Sequence, residues 1–389
     1  MIRLVVLRRA RPLKYGRLTT IALSLAAGIL LYTLILAVIG VSPLLTFSII
    51  SASFISSGVV KDFIVLTVLG YALLVAFKGS LWNIGAEGQF YMGAVPVIYL
   101  TTIVFFTTGS VSIIQSVLVI AGSIILAILF GGLWGTIAGA IKAYAGVDEV
   151  PVTLILNYVA YYLVNILILG PFQGKYVYGY KRTDLIPEAY QLSIKVQLAP
   201  TGNPVIDGVL SYVRELIIFG WWVLALAMVM IAVWWFFNKT SLGLKVKVLG
   251  SNPDYLVTAG WDVRKVTIAT FAISGGIVGL MSALYLLGYL LRLEYPIESQ
   301  TAGYGYLAIL VAWLSLLDIA LVPVSAYIIS SLTNAGIAQS SAPEVKQALA
   351  QAGFAGAELS FRWIMIGSIL LTYSVLRFLS DYEVRVIRE

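Results

Sequence analysis

The chain has 389 residues, of which 60% are hydrophobic and 11% charged, whereas soluble domains are roughly half apolar and one quarter charged. It contains no cysteine and no histidine, which excludes disulfides, thiol nucleophiles, imidazole bases and the usual zinc sites. The net charge of +7 comes from basic residues concentrated beside apolar segments, where they indicate membrane topology and not nucleic acid binding. We therefore expect a lipid bilayer around the chain, and no metal or cofactor bound to it.

Apolar runs predict an all-α fold, a polytopic membrane helical bundle of about ten transmembrane helices. The first run is longer than a signal-peptide core and lacks a small-residue cleavage site, so we interpret it as a retained helix. The segment 42–60 is expected to be a re-entrant or interfacial helix. The predicted spans are 19–41, 62–78, 89–107, 111–141, 147–170, 216–237, 266–290, 303–318, 320–338 and 360–380.

The distribution of Lys and Arg predicts the orientation of this bundle. Basic residues cluster in 1–18, in the 238–265 loop and in the 381–389 tail, and with ten spans all three segments lie on the cytoplasmic side. The transmembrane domain is then 19–380, in a plasma membrane with both termini in the cytoplasm. The long polar loop 171–215 falls outside, either as a solvated connector or as a platform for an external partner.

The segment "GSLWNIGAEGQFYMGA", residues 79–94, interrupts two apolar runs with glycines and polar side chains. Hydrocarbon offers no hydrogen bonds to a non-helical backbone, so such a break is tolerated only where protein or a polar cavity receives it. We expect the glycines to allow tight turns and positive φ. The predicted residues of the structural break and cap are Gly85, Glu87 and Gly88.

Within this break, Glu87 is expected to cap a helix end or to pair with Lys78, because ionisable groups in membranes are usually paired. Asn83 and Gln89 carry neutral donors and acceptors. They are therefore the residues predicted to line a path for a neutral polar solute.

A second polar segment is "VDEVPVTLILNYVAYY", residues 147–162. Asp148 and Glu149 stand at a predicted helix start, where carboxylates complement the helix dipole, so capping is their expected role. Deeper in the helix, Asn157 and Tyr161 lie on one face at helical spacing. Asn157 either bonds a neighbouring helix or lines the substrate path with Tyr161.

Two glycine series recur at helical spacing, Gly131, Gly135 and Gly139 in one run and Gly275 with Gly279 in another. Small residues four apart allow helix backbones to approach closely. Their predicted role is helix packing, not ligand binding.

The third polar segment, "VLGSNPDYLVTAGWDVRKV", lies in the 238–265 loop. Its caps predict a short helix from residue 253 to 259, with an N-cap asparagine, a proline at the first position and a glycine in the left-handed conformation after its end. We expect Tyr255, Leu256 and Ala259 to form an exposed apolar face. The residues predicted to dock a cytoplasmic partner are Gly250, Asn252, Pro253, Asp254, Tyr255, Leu256 and Gly260.

Four motifs, "NIGAEGQFYMGA", "DEVPVTLILNYVA", "GSNPDYLVTAGWDVRKVTIATFAISGGIVGL" and "GYGYLAILVAWL", occur in the order seen in the permease subunits of ABC importers for nucleosides and simple sugars. From about Asp62 to Ser380 the chain resembles this branched-chain amino acid/ribose-type superfamily, and its nucleoside-type branch in particular. It departs from the family at "AWLSLLD", Ala312–Asp318, and has no firm match in 171–215.

The resemblance implies a translocation path for nucleosides delivered by an external binding protein. It also implies a second permease subunit as a heterodimeric partner, and two ABC ATPase subunits that bind ATP and contact the 253–259 helix. The chain itself has no G-x-x-x-x-G-K-[ST] phosphate loop, so we expect a transport subunit and not an enzyme.

Three alternatives stay open from the residues alone. A simple-sugar importer permease fits a path poor in charge equally well. A self-contained secondary transporter requires two matching broken helices, and a clear break is visible only in the first half. A membrane enzyme requires an acidic pair or metal-ligand cluster, and Asp148 with Glu149 are adjacent and not on one helical face.

Overall fold

The computed structural model describes residues 2–8, 16–109, 111–176, 179–199, 201–354 and 360–388. These residues form a helical bundle with one pair of short strands. In chain order the elements are β1 Ile2–Arg8, α1 Gly16–Val38, α2 Pro43–Phe54, α3 Val59–Phe77, α4 Ala86–Ile98, α5 Ile113–Ala140, α6 Glu149–Leu169, α7 Pro204–Ile218, α8 Gly220–Lys239, α9 Ser241–Ser251, α10 Pro253–Thr258, α11 Val263–Tyr285, α12 Glu298–Thr301, α13 Tyr304–Leu314, α14 Val322–Ser341, α15 Pro343–Gln351, α16 Phe361–Asp381 and β2 Tyr382–Arg388.

The predicted helical membrane bundle is confirmed. By length and composition, seven helices of the described chain can cross a membrane; they are Thr19–Val38, Val59–Phe77, Ile113–Ala145, Glu149–Leu169, Gly220–Lys239, Val263–Leu290 and Phe361–Ser380. The other three predicted spans also fold as helices, but α4 and α13 are short and α14 is rich in serine. The total of ten crossings therefore stays a prediction.

The predicted interfacial segment contains a real helix, α2, which is 12 residues long and apolar. The prediction did not include the strands. β1 pairs antiparallel with β2, with Ile2 opposite Arg388 and Arg8 opposite Tyr382. Both strands, IRLVVLR and YEVRVIR, contain β-branched and polar residues in a pattern typical of strands. Their basic residues had been interpreted only as an indication of membrane topology.

The chain divides into two compact units. The first runs from the amino terminus to Val59 and from Tyr327 to the carboxyl terminus. Its main helix pair is α1 with α16, and Gly28 permits their contact because a β-carbon there would lie 2.8 Å from the Ile369 Cα atom. The buried core of this unit includes Tyr32, Leu36, Ile50, Leu332, Phe361 and Met365.

The second unit, Val60–Ala326, is built around the pair α5 and α11, on which α4 packs. The predicted glycine series form this contact. A β-carbon on Gly131 would lie 2.5 Å from the Gly275 carbonyl oxygen, and one on Gly135 would lie 2.5 Å from the Phe271 carbonyl oxygen. Side chains at these positions would force the helices apart, so the expected packing role is confirmed.

Described residues of the long loop 171–215 pack against the rest of the second unit. Backbone bonds join Thr183 to Leu293 at 2.9 Å and Ile186 to Leu291 at 2.8 Å, and Tyr190 is fully buried. The expectation of a connector is therefore wrong for this stretch, because its apolar side chains join the core of the second unit. The loop ends in the exposed amphipathic helix α7.

Candidate functional site

The break between α3 and α4 is shorter than predicted. Helix α3 ends at Phe77 and α4 begins at Ala86, so the non-helical stretch is 78–85 and the remainder of the predicted segment 79–94 is helical. Ser80, with φ of 54°, takes the positive-φ position in this stretch. The expectation that its glycines supply positive φ is wrong.

The glycines of this segment allow close approach instead. A β-carbon on Gly88 would lie 3.0 Å from the Asn157 Cα atom, and one on Gly93 would lie 2.9 Å from the Gly279 Cα atom. Gly85 is the N-cap residue of α4. These positions hold α4 against α6 and α11 at distances that a larger side chain would prevent.

Asn83 and Gln89 form a reciprocal amide pair across the break. The Asn83 Nδ2 donates to Gln89 Oε1 at 3.2 Å, and the Gln89 Nε2 donates to Asn83 Oδ1 at 3.0 Å. Asn83 also donates to Ser274 Oγ at 2.9 Å and accepts from the Gly85 N–H at 3.1 Å. Both amides are buried, so in this conformation they contact protein, and their place in a solute path stays a prediction.

Glu87 lies in the first turn of α4 and is 2% exposed. Its Oε1 accepts from Thr301 Oγ1 at 2.6 Å, and its Oε2 accepts from the Gly305 N–H at 2.7 Å. Gly305 stands in the first turn of α13, so the carboxylate binds the amino-terminal end of another helix, where negative charge is favoured.

Lys78 is not observed in this contact. Its ammonium group lies over the Phe237 ring, 5.0 Å from the ring centroid. The expected Glu87–Lys78 pair is therefore wrong. The Glu87 carboxylate instead accepts from a backbone N–H in the first turn of α13.

Asn157 joins α6 to the break. Its Oδ1 accepts from the Gly88 N–H at 2.8 Å, and its Nδ2 donates to the Ile84 carbonyl at 2.9 Å and lies 3.4 Å from the Tyr306 hydroxyl. Asn157 thus bonds a neighbouring segment of the fold, which is the first of the two roles expected for it. We call Asn83, Glu87, Gln89 and Asn157 the break cluster.

Tyr161 is half-buried beside the break cluster. Its ring centroid lies 6.4 Å from that of Tyr91 and 4.9 Å from that of Tyr162. Through Tyr91, which lies on α4, it packs against the buried core of the second unit, and its place in a solute path stays a prediction.

The two carboxylates at the start of α6 have different roles. Asp148 caps the helix by accepting from the Val150 N–H at 3.0 Å, as expected. Glu149 instead accepts from the Trp82 N–H at 3.0 Å and pairs with Lys142 at 2.6 Å. Since Trp82 lies in the non-helical stretch, Glu149 satisfies a backbone group of the break, and capping alone does not describe it.

The short helix of the 238–265 loop is confirmed as α10, one residue shorter than expected. The Asn252 Oδ1 accepts from the Tyr255 N–H at 3.2 Å, and Gly260 has φ of +73°. Tyr255 and Val257 are exposed, and so are Pro253 and Asp254. Leu256 is fully buried, so its expected place on the exposed face is wrong; it anchors the helix.

Gly250, at the end of α9, contacts the break directly. A β-carbon there would overlap the Lys78 carbonyl oxygen, and the Ser80 hydroxyl donates to the Gly250 carbonyl at 2.9 Å. Gly250 was predicted as a docking residue. The structure places it on the inner side of the loop, where it joins α9 and α10 to the broken helix.

Ser274, Thr301 and Gly305 contact the break cluster but were not singled out from the sequence. Thr301 and Gly305 flank Gly303, which has φ of +69° and stands in the quoted "GYGY" motif. The signal for this turn was present. The sequence did not show that Thr301 contacts Glu87, because the two residues are 214 residues apart in the chain.

Comparison with known proteins finds a family whose match covers the residues that form these contacts. A family model described as "Branched-chain amino acid transport system / permease component" matches residues 54–357. The chain is 30% identical over 249 residues to the guanosine ABC transporter permease protein NupP of Bacillus subtilis, covering 63% of each chain. It is 27% identical over 248 residues to the nucleoside ABC transporter permease protein NupB of Lactococcus lactis, covering 63% of this chain and 62% of that one.

A third relative has a different solute in its name. The glucose ABC transporter permease protein TsgB13 of Haloferax volcanii is 27% identical over 311 residues, covering 79% of this chain and 77% of that one. The matches to the guanosine and nucleoside proteins thus span a little under two thirds of those proteins' lengths. No solved structure matches the chain.

Proposed function

This chain belongs to the family of permease components of branched-chain amino acid transport systems, and we propose that it is the membrane permease subunit of an ATP-binding cassette importer for nucleosides. The family match over residues 54–357 is the observation that carries the proposal. It spans the broken helix, the break cluster and the α9–α10 loop. It makes the chain a multi-pass membrane permease subunit.

The geometry supports alternating access through the break. Helix interruptions near the membrane midplane are where transporters place solute sites. The break cluster offers neutral amides from Asn83, Gln89 and Asn157, which suit an uncharged ribose and base. Asn83 and Gln89 are bound to each other here, and Asn157 is bound to the backbone of Gly88 and Ile84. Exchange of these bonds for bonds to solute is the proposed event that opens the path.

The same geometry supports coupling to ATP hydrolysis outside this chain. Helix α10 presents Tyr255 and Val257 to solvent, while Gly250 rests on the Lys78 carbonyl. In the proposed assembly two ATPase subunits bind ATP and push on α10, and α9 transmits that movement to the break. This chain supplies no nucleotide site and no catalytic residue.

The remaining partners and the orientation follow from the same proposal. A second permease subunit forms a heterodimer with this chain, and an external substrate-binding protein delivers the solute. The assembly lies in the cell membrane, with the basic amino-terminal segment, the 238–265 loop and the tail in the cytoplasm, as the positive charges favour.

A simple sugar is the second candidate solute. The glucose permease relative matches 79% of this chain, more than the 63% matched by the guanosine relative. Nucleosides remain the leading proposal because the guanosine relative has the higher identity, 30% against 27%.

Uptake into proteoliposomes distinguishes a nucleoside importer from a simple-sugar importer. The assembled transporter, with its binding protein, should import labelled guanosine in an ATP-dependent manner, and excess unlabelled guanosine but not glucose should block that import. Import of glucose alone would favour the sugar alternative. ATP-independent uptake by this chain without partners would reject the importer proposal altogether.

A further inference from the structure

Asn165 on α6 carries an unused hydrogen-bond donor inside the second unit. It follows Asn157 by eight residues, so the two amides lie on overlapping faces of the helix, and it is 4% exposed. Its Oδ1 accepts from the Ile297 N–H at 3.1 Å, which fixes the orientation of the amide because only its oxygen can accept. The Nδ2 is buried and, within the described part of the chain, has no hydrogen-bond partner.

The other amides near the break are already engaged with protein. Asn83 and Gln89 donate to each other, and Asn157 donates to the Ile84 carbonyl. Each of them must give up a bond before it can donate that hydrogen to a solute. Asn165 gives up none, and pairing its donor removes the penalty that an unsatisfied buried donor carries. It is therefore the amide of this region best prepared to bind a solute.

Tyr161 places an aromatic ring next to this donor. It lies one turn before Asn165, about 6 Å along the helix axis, and its hydroxyl is beside the Asn165 amide but outside hydrogen-bonding geometry. Its ring packs against that of Tyr91 on α4, with the centroids 6.4 Å apart. Since Tyr161 is only half-buried, part of its surface stays open to a flat solute that also reaches Asn165.

A structural role explains only the oxygen of Asn165. Its bond to Ile297 holds the residue that directly precedes α12, and an aspartate or a glutamine oxygen could accept from the same N–H. The fold makes no such use of the amide nitrogen. The choice of an amide at this position therefore has a reason beyond packing.

We propose that Asn165 and Tyr161 form the base-binding site of the permease, in which the base stacks on the Tyr161 ring and the Asn165 Nδ2 donates to the edge of the base. The inference rests on the proposed function and names its solute class. Guanine presents two acceptors, O6 and N7, on one edge, whereas adenine has a donating amino group in place of O6. Because Ile297 occupies the Asn165 oxygen, this side chain can only donate. The site therefore favours 6-oxopurine nucleosides over adenosine.

The ratio of guanosine to adenosine import tests the role of Asn165. Asn165→Asp keeps an oxygen for the Ile297 N–H and replaces the donor with an acceptor. The same binding protein is used in every assay, so its own preference cancels. The ratio of kcat/KM for guanosine to that for adenosine should fall about tenfold or more. Asn203→Asp, the same substitution at the exposed N-cap of α7, should keep the wild-type ratio.

An unchanged ratio in the assembled Asn165→Asp transporter would overturn the assignment. Should the buried carboxylate prevent assembly, Asn165→Ala removes the donor without adding a charge, and it should lower the same ratio severalfold. Nucleoside import with an unchanged ratio in both variants rejects this site alone. Import of glucose and of neither nucleoside rejects the proposed solute and the site together.

Thiol protection locates the site independently of transport rates. Since the chain has no cysteine, Tyr161→Cys introduces its sole thiol, and labelling of this chain by a methanethiosulfonate is read by mass in the detergent-solubilised assembly. Guanosine at a saturating concentration, set from the KM of that variant, should slow the labelling severalfold. Tyr144→Cys replaces an exposed tyrosine after α5 and should react equally fast with and without guanosine. Equal rates for Tyr161→Cys under the two conditions would overturn the stacking role.

Discussion

Glu87 shows how one residue can hold together two distant parts of the chain. Its two oxygens accept from Thr301 at 2.6 Å and from Gly305 at 2.7 Å. Hydrogen bonds to a charged acceptor are stronger than neutral ones, and a carboxylate at a helix start is further favoured by the helix dipole. The same contacts make the residue sensitive to a change of a single atom.

We predict that Glu87→Gln lowers the thermal stability of the assembled transporter. The carboxamide oxygen can keep the Gly305 N–H while its amino group donates to the Thr301 hydroxyl, so two hydrogen bonds to a charged acceptor become two neutral ones. Hydrogen bonds to charged groups contribute about 1.5–3 kcal/mol and neutral ones about 0.5–1.5 kcal/mol, so we expect a loss of about 1 kcal/mol for each bond. Transport per assembled complex should remain close to wild type, because the hydrogen bonds that the substitution weakens join helices of the fold.

Melting followed by size-exclusion chromatography, together with uptake normalised to assembled complex, measures both effects. Glu298→Gln is the matched control, because Glu298 is an exposed glutamate at the start of α12, and it should melt like wild type. A Glu87→Gln protein of full stability with a specific transport defect would place this carboxylate in the solute path instead.

Among the elements, the α9–α10 loop and the broken helix form one mechanical unit. The Ser80 hydroxyl reaches the Gly250 carbonyl at 2.9 Å, and a β-carbon on Gly250 would overlap the Lys78 carbonyl oxygen. Backbone therefore lies directly on backbone, with no flexible side chain between them. Such a contact transmits a displacement with little loss, since packed interiors are stiff.

We predict that Gly250→Ala uncouples ATP hydrolysis from import. The added methyl group would move α9 away from Lys78, and overpacking of this kind costs about 1–3 kcal/mol. The ratio of solute imported to ATP hydrolysed should fall while ATPase subunits still bind. Gly122→Ala is the control, because its new β-carbon would meet Leu100 Cδ1 at an ordinary 3.8 Å; equal coupling ratios for the two variants would contradict the proposed unit.

The sequence predicted those elements that depend on local patterns. Apolar runs located α1, α3, α6 and α8 to within a few residues, and caps located α10, because span length and capping are properties of neighbouring residues. The Asn252 cap and the left-handed Gly260 were predicted for the same reason and were confirmed. These signals need no knowledge of the rest of the chain.

Contacts between distant segments could not be predicted in this way. Glu87 was expected to cap a helix end or to pair with Lys78, whereas Thr301 and Gly305, which donate to its carboxylate, are more than two hundred residues away in the chain. Leu256 was expected on the exposed apolar face of α10, together with Tyr255 and Ala259. Its burial is set by packing against elements that a local pattern does not describe.

At the scale of the whole molecule, the proposed function makes the chain a membrane path that depends on partner subunits for energy. Seven of the described helices are long and apolar enough to cross a bilayer, and the sequence has no phosphate-binding loop. In the proposed assembly, energy enters from ATPase subunits at α10 and solute enters from an external binding protein. Activity should therefore belong to the assembly and not to this chain.

We predict that the purified chain alone hydrolyses no ATP above the level of empty proteoliposomes, since a P-loop is the usual means of cradling the nucleotide phosphates. Assembled with its partners it should support ATP hydrolysis that rises when the binding protein is loaded with guanosine. A partner ATPase with its phosphate-loop lysine replaced is the control and should abolish that activity. Hydrolysis that co-purifies with the isolated chain at a constant ratio through successive columns would contradict the permease assignment, because it would require a nucleotide site within this sequence.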